Sequence, residues 1–143
     1  MMILVKDVMK RNVIVAKPEI NIREMSQVMS KFHIGCLVIV EKGKTVGVVT
    51  ERDILNSIAN GMNPDKTMAK DIMTKNVITI EPDNSIDDAV ELMTKNRIKK
   101  LPVVKNGKLV GIVTASDIII VEPKLIESIA NLISIKLPGY EGG

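Results

Sequence analysis

The sequence predicts an α+β fold of two tandem β-α-β-β-α repeats, packed as a pseudo-twofold pair with their sheets facing each other. Three observations predict it. The first is internal repetition. Sliding the 143 residues by 64 positions aligns "KDVMKRNVIVAKP" (6–18) with "KDIMTKNVITIEP" (70–82). The same shift aligns "IGCLVIVEKGKTVGVVTERDI" with "IKKLPVVKNGKLVGIVTASDI" without a gap, and roughly two residues in five are identical across the repeat. The second is a hairpin pattern in each copy. The third is an apolar stripe at helical spacing ahead of each hairpin. The repeats divide the chain into 1–64, 65–121 and a terminal segment 122–143 with a helix and a loose tail "LPGYEGG".

Each copy opens on a short apolar strand, 13–16 or 77–80. A helix follows. In the second copy Ser85 is placed as N-cap with Asp87 and Asp88 in the first turn, and Ile86, Ala89, Val90 and Met93 form the buried stripe. Ile22, Met25, Val28, Met29 and Phe32 form the stripe of the first copy, so these methionines read as core. Asn106-Gly107 between two β-rich runs is the strongest short hairpin signal, and Lys42-Gly43 repeats it. The second hairpin strand runs into a helix. One such helix ends near Gly61, where a C-terminal glycine fits. The other stops before Pro123, and a fresh helix starts there. A unit of about 60 residues is marginal alone, so two copies are expected to bury their Val/Ile faces together.

Composition narrows the function. Cys36 and His33 are the single cysteine and histidine, which excludes a disulfide framework and multi-cysteine or multi-histidine metal sites within one chain; Cys36 reads as core and His33 as a helix end. No apolar run reaches the roughly 18 residues of a membrane span. The opening "MMILVKDVMK" has an acid at Asp7 and no cleavage signal, so a cytoplasmic protein is expected. The formal charge of +3 comes from lysines scattered along the chain, and Phe32 and Tyr140 are the sole aromatics. That argues against single-stranded nucleic acid, which needs stacking platforms.

The strand-Thr-x-x-Asp-helix segments "GVVTERD" and "GIVTASD" carry the chemistry. At such a turn the first helix amides lack internal partners and attract anions. Thr50 or Thr114 adds a hydroxyl, and Asp53 or Asp117 an acceptor-only carboxylate suited to two adjacent sugar hydroxyls. Phosphate donors beside a diol acceptor make a nucleoside-phosphate pattern. The same residues also suit plain helix caps, and Lys99-Lys100 a solvated helix end.

Taken together, the two "hhGhhTxxD" segments, the hairpins before them, the "KDhM" openings and "LPVV" resemble tandem CBS domains from Val5 to about Leu132. The resemblance implies a pair binding AMP, ADP, ATP, S-adenosylmethionine or NAD-like ligands in two clefts between the repeats. The aspartate would hold ribose, the threonine or serine would approach phosphate, and apolar side chains would grip adenine. Carried onto this chain, one cleft would use Thr50, Arg52 and Asp53 with Thr79, Ile98 and Lys99. The other would use Thr114, Ser116 and Asp117 with Val15, Ile34 and Gly35, and Lys99 or Lys100 would reach toward phosphate. Arg52 against Ser116 favours the Asp53 cleft for the more highly charged phosphate chain. Gly35 stands where the second copy has Lys99, so the clefts are unequal.

The chain offers no nucleophile–base pair, Walker-type loop or metal cluster, so a regulatory module without catalysis or catalytic cofactor is expected. Two rival classes stay open. Nucleotide hydrolysis would need magnesium and further carboxylates. A scaffold or nucleic-acid-associated subunit would show steep salt dependence. Homodimerisation through helices is expected from Ile54, Leu55, Ile58, Ile126, Ile129, Ala130 and Ile133, and any regulated effector would be a separate chain.

Overall fold

The computed structural model describes residues 2–130 and 132; Ile133 and the tail "LPGYEGG" lie outside them. The chain forms two compact units, one spanning Val13–Val77, the other joining Met1–Asn12 to the chain from Ile78 onward. These limits fall past the 64/65 boundary read from the repeats, because each "KDhM" opening packs on the hairpin of the other copy.

The Val13–Val77 unit contains β1 (Val15–Ala16), α2 (Ile22–Phe32), β2 (Cys36–Glu41), β3 (Lys44–Thr50), α3 (Glu51–Ala59) and α4 (Ala69–Ile72); α1 (Val5–Val8) belongs to the other unit. Its sheet has the order β1-β2-β3, parallel then antiparallel. Lys42 and Gly43 both take positive φ, 52° and 78°, as a two-residue primed turn demands. α2 opens on a capping box: the Asn21 side chain accepts from the Glu24 amide at 2.8 Å. It closes on His33 in the left-handed conformation, as the sequence places it. Gly61, φ 79°, follows the C-cap of α3. Ile22, Met25, Met29, Leu37, Ile39, Val49 and Ala69 fill the core, and Cys36 is also buried. Arg23 and Asn21 fasten the connecting segment through Asp65, whose carboxyl is held below its ordinary range chiefly by the Arg23 hydrogen bond. That pair is exposed and adds little stability.

The second unit contains α1, α5 (Ile86–Asn96), β4 (Lys100–Lys105), β5 (Lys108–Thr114), α6 (Ala115–Val121), a 3-10 turn Pro123–Leu125 and α7 (Ile126–Ile129). Pro123 starts the 3-10 turn, so the chain restarts where the sequence indicates. Asn106 and Gly107 repeat the primed turn with φ 53° and 80°. Val5, Leu101, Val103, Val113, Ile118 and Ile129 are fully buried.

The opening strand expected at 77–80 is reduced to one parallel bridge, Ile80 to Val103. Pro102 stands where the first copy has Val38 and has no N–H to extend the ladder. Ile80 donates to the Pro102 carbonyl and accepts from Val104, and pairing ends there.

Two short helices escaped the sequence reading. In α1 and α4 the third residue, Asp7 or Asp71, accepts from the amide of Leu4 or Met68, both at 2.9 Å. The following methionine lies over a strand glycine: Met9 over Gly111 and Met73 over Gly47. This contact is why both "VG" steps lack a side chain.

Ser85 caps α5 as expected: its hydroxyl accepts from the Asp88 amide at 3.0 Å and Asp88 accepts from the Ser85 amide at 3.1 Å. Ser85→Ala is expected to cost about 1 kcal/mol in denaturant unfolding. The Ser85 amide, then the Asn84 and Ser85 side chains, hold the Asp88 carboxyl below its ordinary pKa. This contribution is therefore complete above the ordinary aspartate range and fades as pH falls through the depressed value. Asp88→Asn should flatten that acid limb.

The dimer expectation is corrected in two places. Ile129 is 0% exposed and Ile54 packs on the core, so neither is spare apolar surface. Leu55, Ile58 and Ile126 remain exposed, and so do Ile120 and Val121, which the sequence reading passed over.

Candidate functional site

Each strand-to-helix turn is built by its own unit. Thr50 ends β3 and caps α3; Thr114 ends β5 and caps α6. The start of the neighbouring hairpin strand sits against each turn: Gly35 accepts from the Glu51 amide at 3.1 Å, and Lys99 from the Ala115 amide at 2.9 Å. Cys36 pairs with Thr50 and Lys100 with Thr114. The structure thus gathers Ile34, Gly35, Thr50, Arg52 and Asp53 in one unit, which also holds Val15. Thr79, Ile98, Lys99, Lys100, Thr114, Ser116 and Asp117 lie in the other.

The expectation of free amides is largely overturned. The first helical amide, Glu51 or Ala115, bonds to a hairpin carbonyl, and the third, Asp53 or Asp117, bonds to the threonine hydroxyl oxygen at 3.2 or 3.1 Å. Of these opening positions, that leaves the amide of Arg52 and of Ser116. Each threonine keeps its hydroxyl proton for donation.

The two aspartates differ. Asp53 Oδ2 accepts from the Thr50 amide at 2.9 Å, completing a reciprocal box. Asp117 makes no such bond: among the described residues its buried Oδ2 has no hydrogen-bond partner, and its Oδ1 lies 3.9 Å from Lys10 Nζ. Lys10 was absent from the sequence-level site because it lies far from Asp117 along the chain. Backbone bonds to Ile112, 2.9 Å in each direction, bring it there. Its counterpart in the first-copy unit is Thr74, which pairs with Val48 in the same way.

A groove of about 600 Å³ between Arg23, Ser26, Gln27, Lys31, Ile58 and Pro64 contains none of the expected site residues. Among the described residues no cluster of His, Cys, Asp and Glu is arranged for a metal ion, and no helix is long and apolar enough to cross a membrane.

The CBS domain family profile matches residues 5–60 and 69–123, taking in both turns. The chain belongs to the CBS domain family. As a CBS pair it is 36% identical to the crystal structure of the CBS domain pair of protein MJ0100 in complex with 5′-methylthioadenosine and S-adenosyl-L-methionine. That match covers 87% of this chain and 98% of the other, at a TM-score of 0.79. An uncharacterised protein of Methanopyrus kandleri is 44% identical over 87% of this CBS chain, which spans 65% of that relative's length. The CBS domain-containing protein YhcV of Bacillus subtilis is 34% identical, with 80% of this chain and 81% of the relative covered.

Proposed function

We propose that this CBS pair is a cytoplasmic, non-catalytic regulatory module that binds adenosine-containing ligands at its two Thr-x-x-Asp turns. The observation that carries the reading is the duplicated turn itself, a threonine hydroxyl and a carboxylate brought together at the end of a strand. It is supported by a 36% identical CBS pair that holds two adenosine compounds. In this reading Asp53 and Asp117 accept from ribose hydroxyls and Thr50 and Thr114 donate toward phosphate. Arg52, Lys99, Lys100 and Ser116 add charge or hydroxyls, and Val15, Ile34, Gly35, Thr79 and Ile98 line the base. The exposed apolar residues of α3 and α6 serve self-association, and a separate effector chain reads the state.

Two ligand classes compete. The lysines flanking Thr114 favour AMP, ADP or ATP; the complex of the similar CBS pair favours S-adenosylmethionine and methylthioadenosine. Thermal melting with each compound at about 1 mM separates them. A ligand at a hundred times its Kd adds about 2.7 kcal/mol to the folded state, a rise on the order of 5–10 °C. No shift with any adenosine compound would end the proposal. A shift only with short RNA, lost in salt, would establish the scaffold alternative.

A further inference from the structure

We infer that the two turns have diverged, and that Lys10 makes the Asp117 turn the anion-selective one. This rests on the adenosine-binding reading above. Arg52 against Ser116, compared as sequence, points to the opposite turn; the structure adds a cation that this comparison does not contain.

Three observations carry the inference. Asp53 is committed to its box, with one carboxylate oxygen on the Thr50 amide, whereas Asp117 is withdrawn from the equivalent bond. One Asp117 oxygen is buried and unpartnered among the described residues, and the other faces Lys10 at 3.9 Å. A buried carboxylate oxygen without a donor is costly, so the arrangement favours an incoming donor. Lys10 is held by its backbone but 70% exposed at its side chain, too solvated to act as a stabilising ion pair and free to turn to another anion.

Lys10 lies opposite Ile112 on β5, Lys100 opposite Thr114 two residues on, and alternate strand residues share a face. One face therefore presents Lys10, Lys100, Thr114 and the Asp117 carboxylate. The first-copy unit has Thr74 and Cys36 at the two lysine positions. A nucleoside 5′-phosphate matches the first set: its diol supplies donors to Asp117, and its phosphate takes Lys10 from the carboxylate. The α6 amides are mostly engaged and play no part.

The test is calorimetric titration of the full chain with AMP and with adenosine, fitted site by site. Lys10→Met should weaken AMP about tenfold at one site and leave adenosine unchanged. Lys10→Arg should restore AMP, and Thr74→Met should change neither. Melting without ligand confirms that each variant is folded, since only an exposed side chain is altered. An unchanged AMP-to-adenosine ratio in folded Lys10→Met overturns the role of Lys10 and leaves the adenosine reading standing. Failure of the unaltered protein to bind AMP overturns the role of Lys10, and failure to bind any adenosine compound, S-adenosylmethionine and methylthioadenosine included, overturns both.

Discussion

Gly111→Ala is expected to destabilise the unit that contains β4 and β5 by about 1–3 kcal/mol, as forced overpacking does. A Cβ at Gly111 would sit 2.6 Å from Met9 Sδ and 2.9 Å from the Lys10 carbonyl oxygen. The sulfur can swing away. The carbonyl cannot, because it accepts from the Ile112 amide at 2.9 Å. The position has no positive φ, so alanine fits the backbone and gains about 0.5 kcal/mol by restricting the unfolded chain, a partial offset. Gly47→Ala is the control. Its three nearest obstacles are all Met73 side-chain atoms, at 2.3 to 3.0 Å. Adding Met73→Ala should relieve much of the strain at Gly47, whereas adding Met9→Ala should leave Gly111→Ala mostly unrescued. Denaturant midpoints measure both pairs, and equal rescue would refute the backbone clash. Gly111→Ala should also weaken AMP binding, since it displaces Lys10.

Deleting residues 1–12 should have a larger effect still, on a part of the chain remote in sequence. Val5 is 0% exposed and packs in a core with Met93, Leu101 and Ile118. Burial of one such side chain contributes about 1.5–3 kcal/mol, and Ile3, Val8 and Met9 pack against the same cluster. Val5 donates to Asn84, Lys6 to Pro82 and Ile86 to Ile3, and Lys10 and Ile112 exchange a pair, so five backbone bonds go too. Against a total stability of about 5–15 kcal/mol, the deletion should cost this unit its cooperative fold. Amide exchange at Val113 and Ile118 should lose its protection, and that at Leu37 and Val49 should be affected less. Unchanged protection at Val113 would show that the opening segment is dispensable.

Much of the fold could be read from residues close together in sequence. Asn106-Gly107 announced its turn because both positions need positive φ. Ser85 and His33 marked helix ends because caps depend on a few neighbouring residues. The "KDhM" openings were legible as a repeat but not as helices, since four residues give no periodicity and their methionines matter only against a strand glycine. The lost strand in the second copy had a visible cause, Pro102, but the effect required knowing which segment lies beside it. The threonines and aspartates of the two turns are legible from spacing alone. The engagement of the first helical amide is not legible in the turn, because the carbonyl of Gly35 or Lys99 that accepts from it comes from the neighbouring strand.

What the sequence determined by itself is the duplication, the turn types, the helix caps and the pair of Thr-x-x-Asp turns, all set by local sterics and short-range hydrogen bonds. Tertiary structure alone decided which hairpin each opening segment completes. It also decided that Asp53 closes a cap while Asp117 faces Lys10. Lys10 and Asp117 are separated by most of the chain, and only the pairing of Lys10 with Ile112, fixed by burial of Val5 and by Met9 over Gly111, brings their charges together.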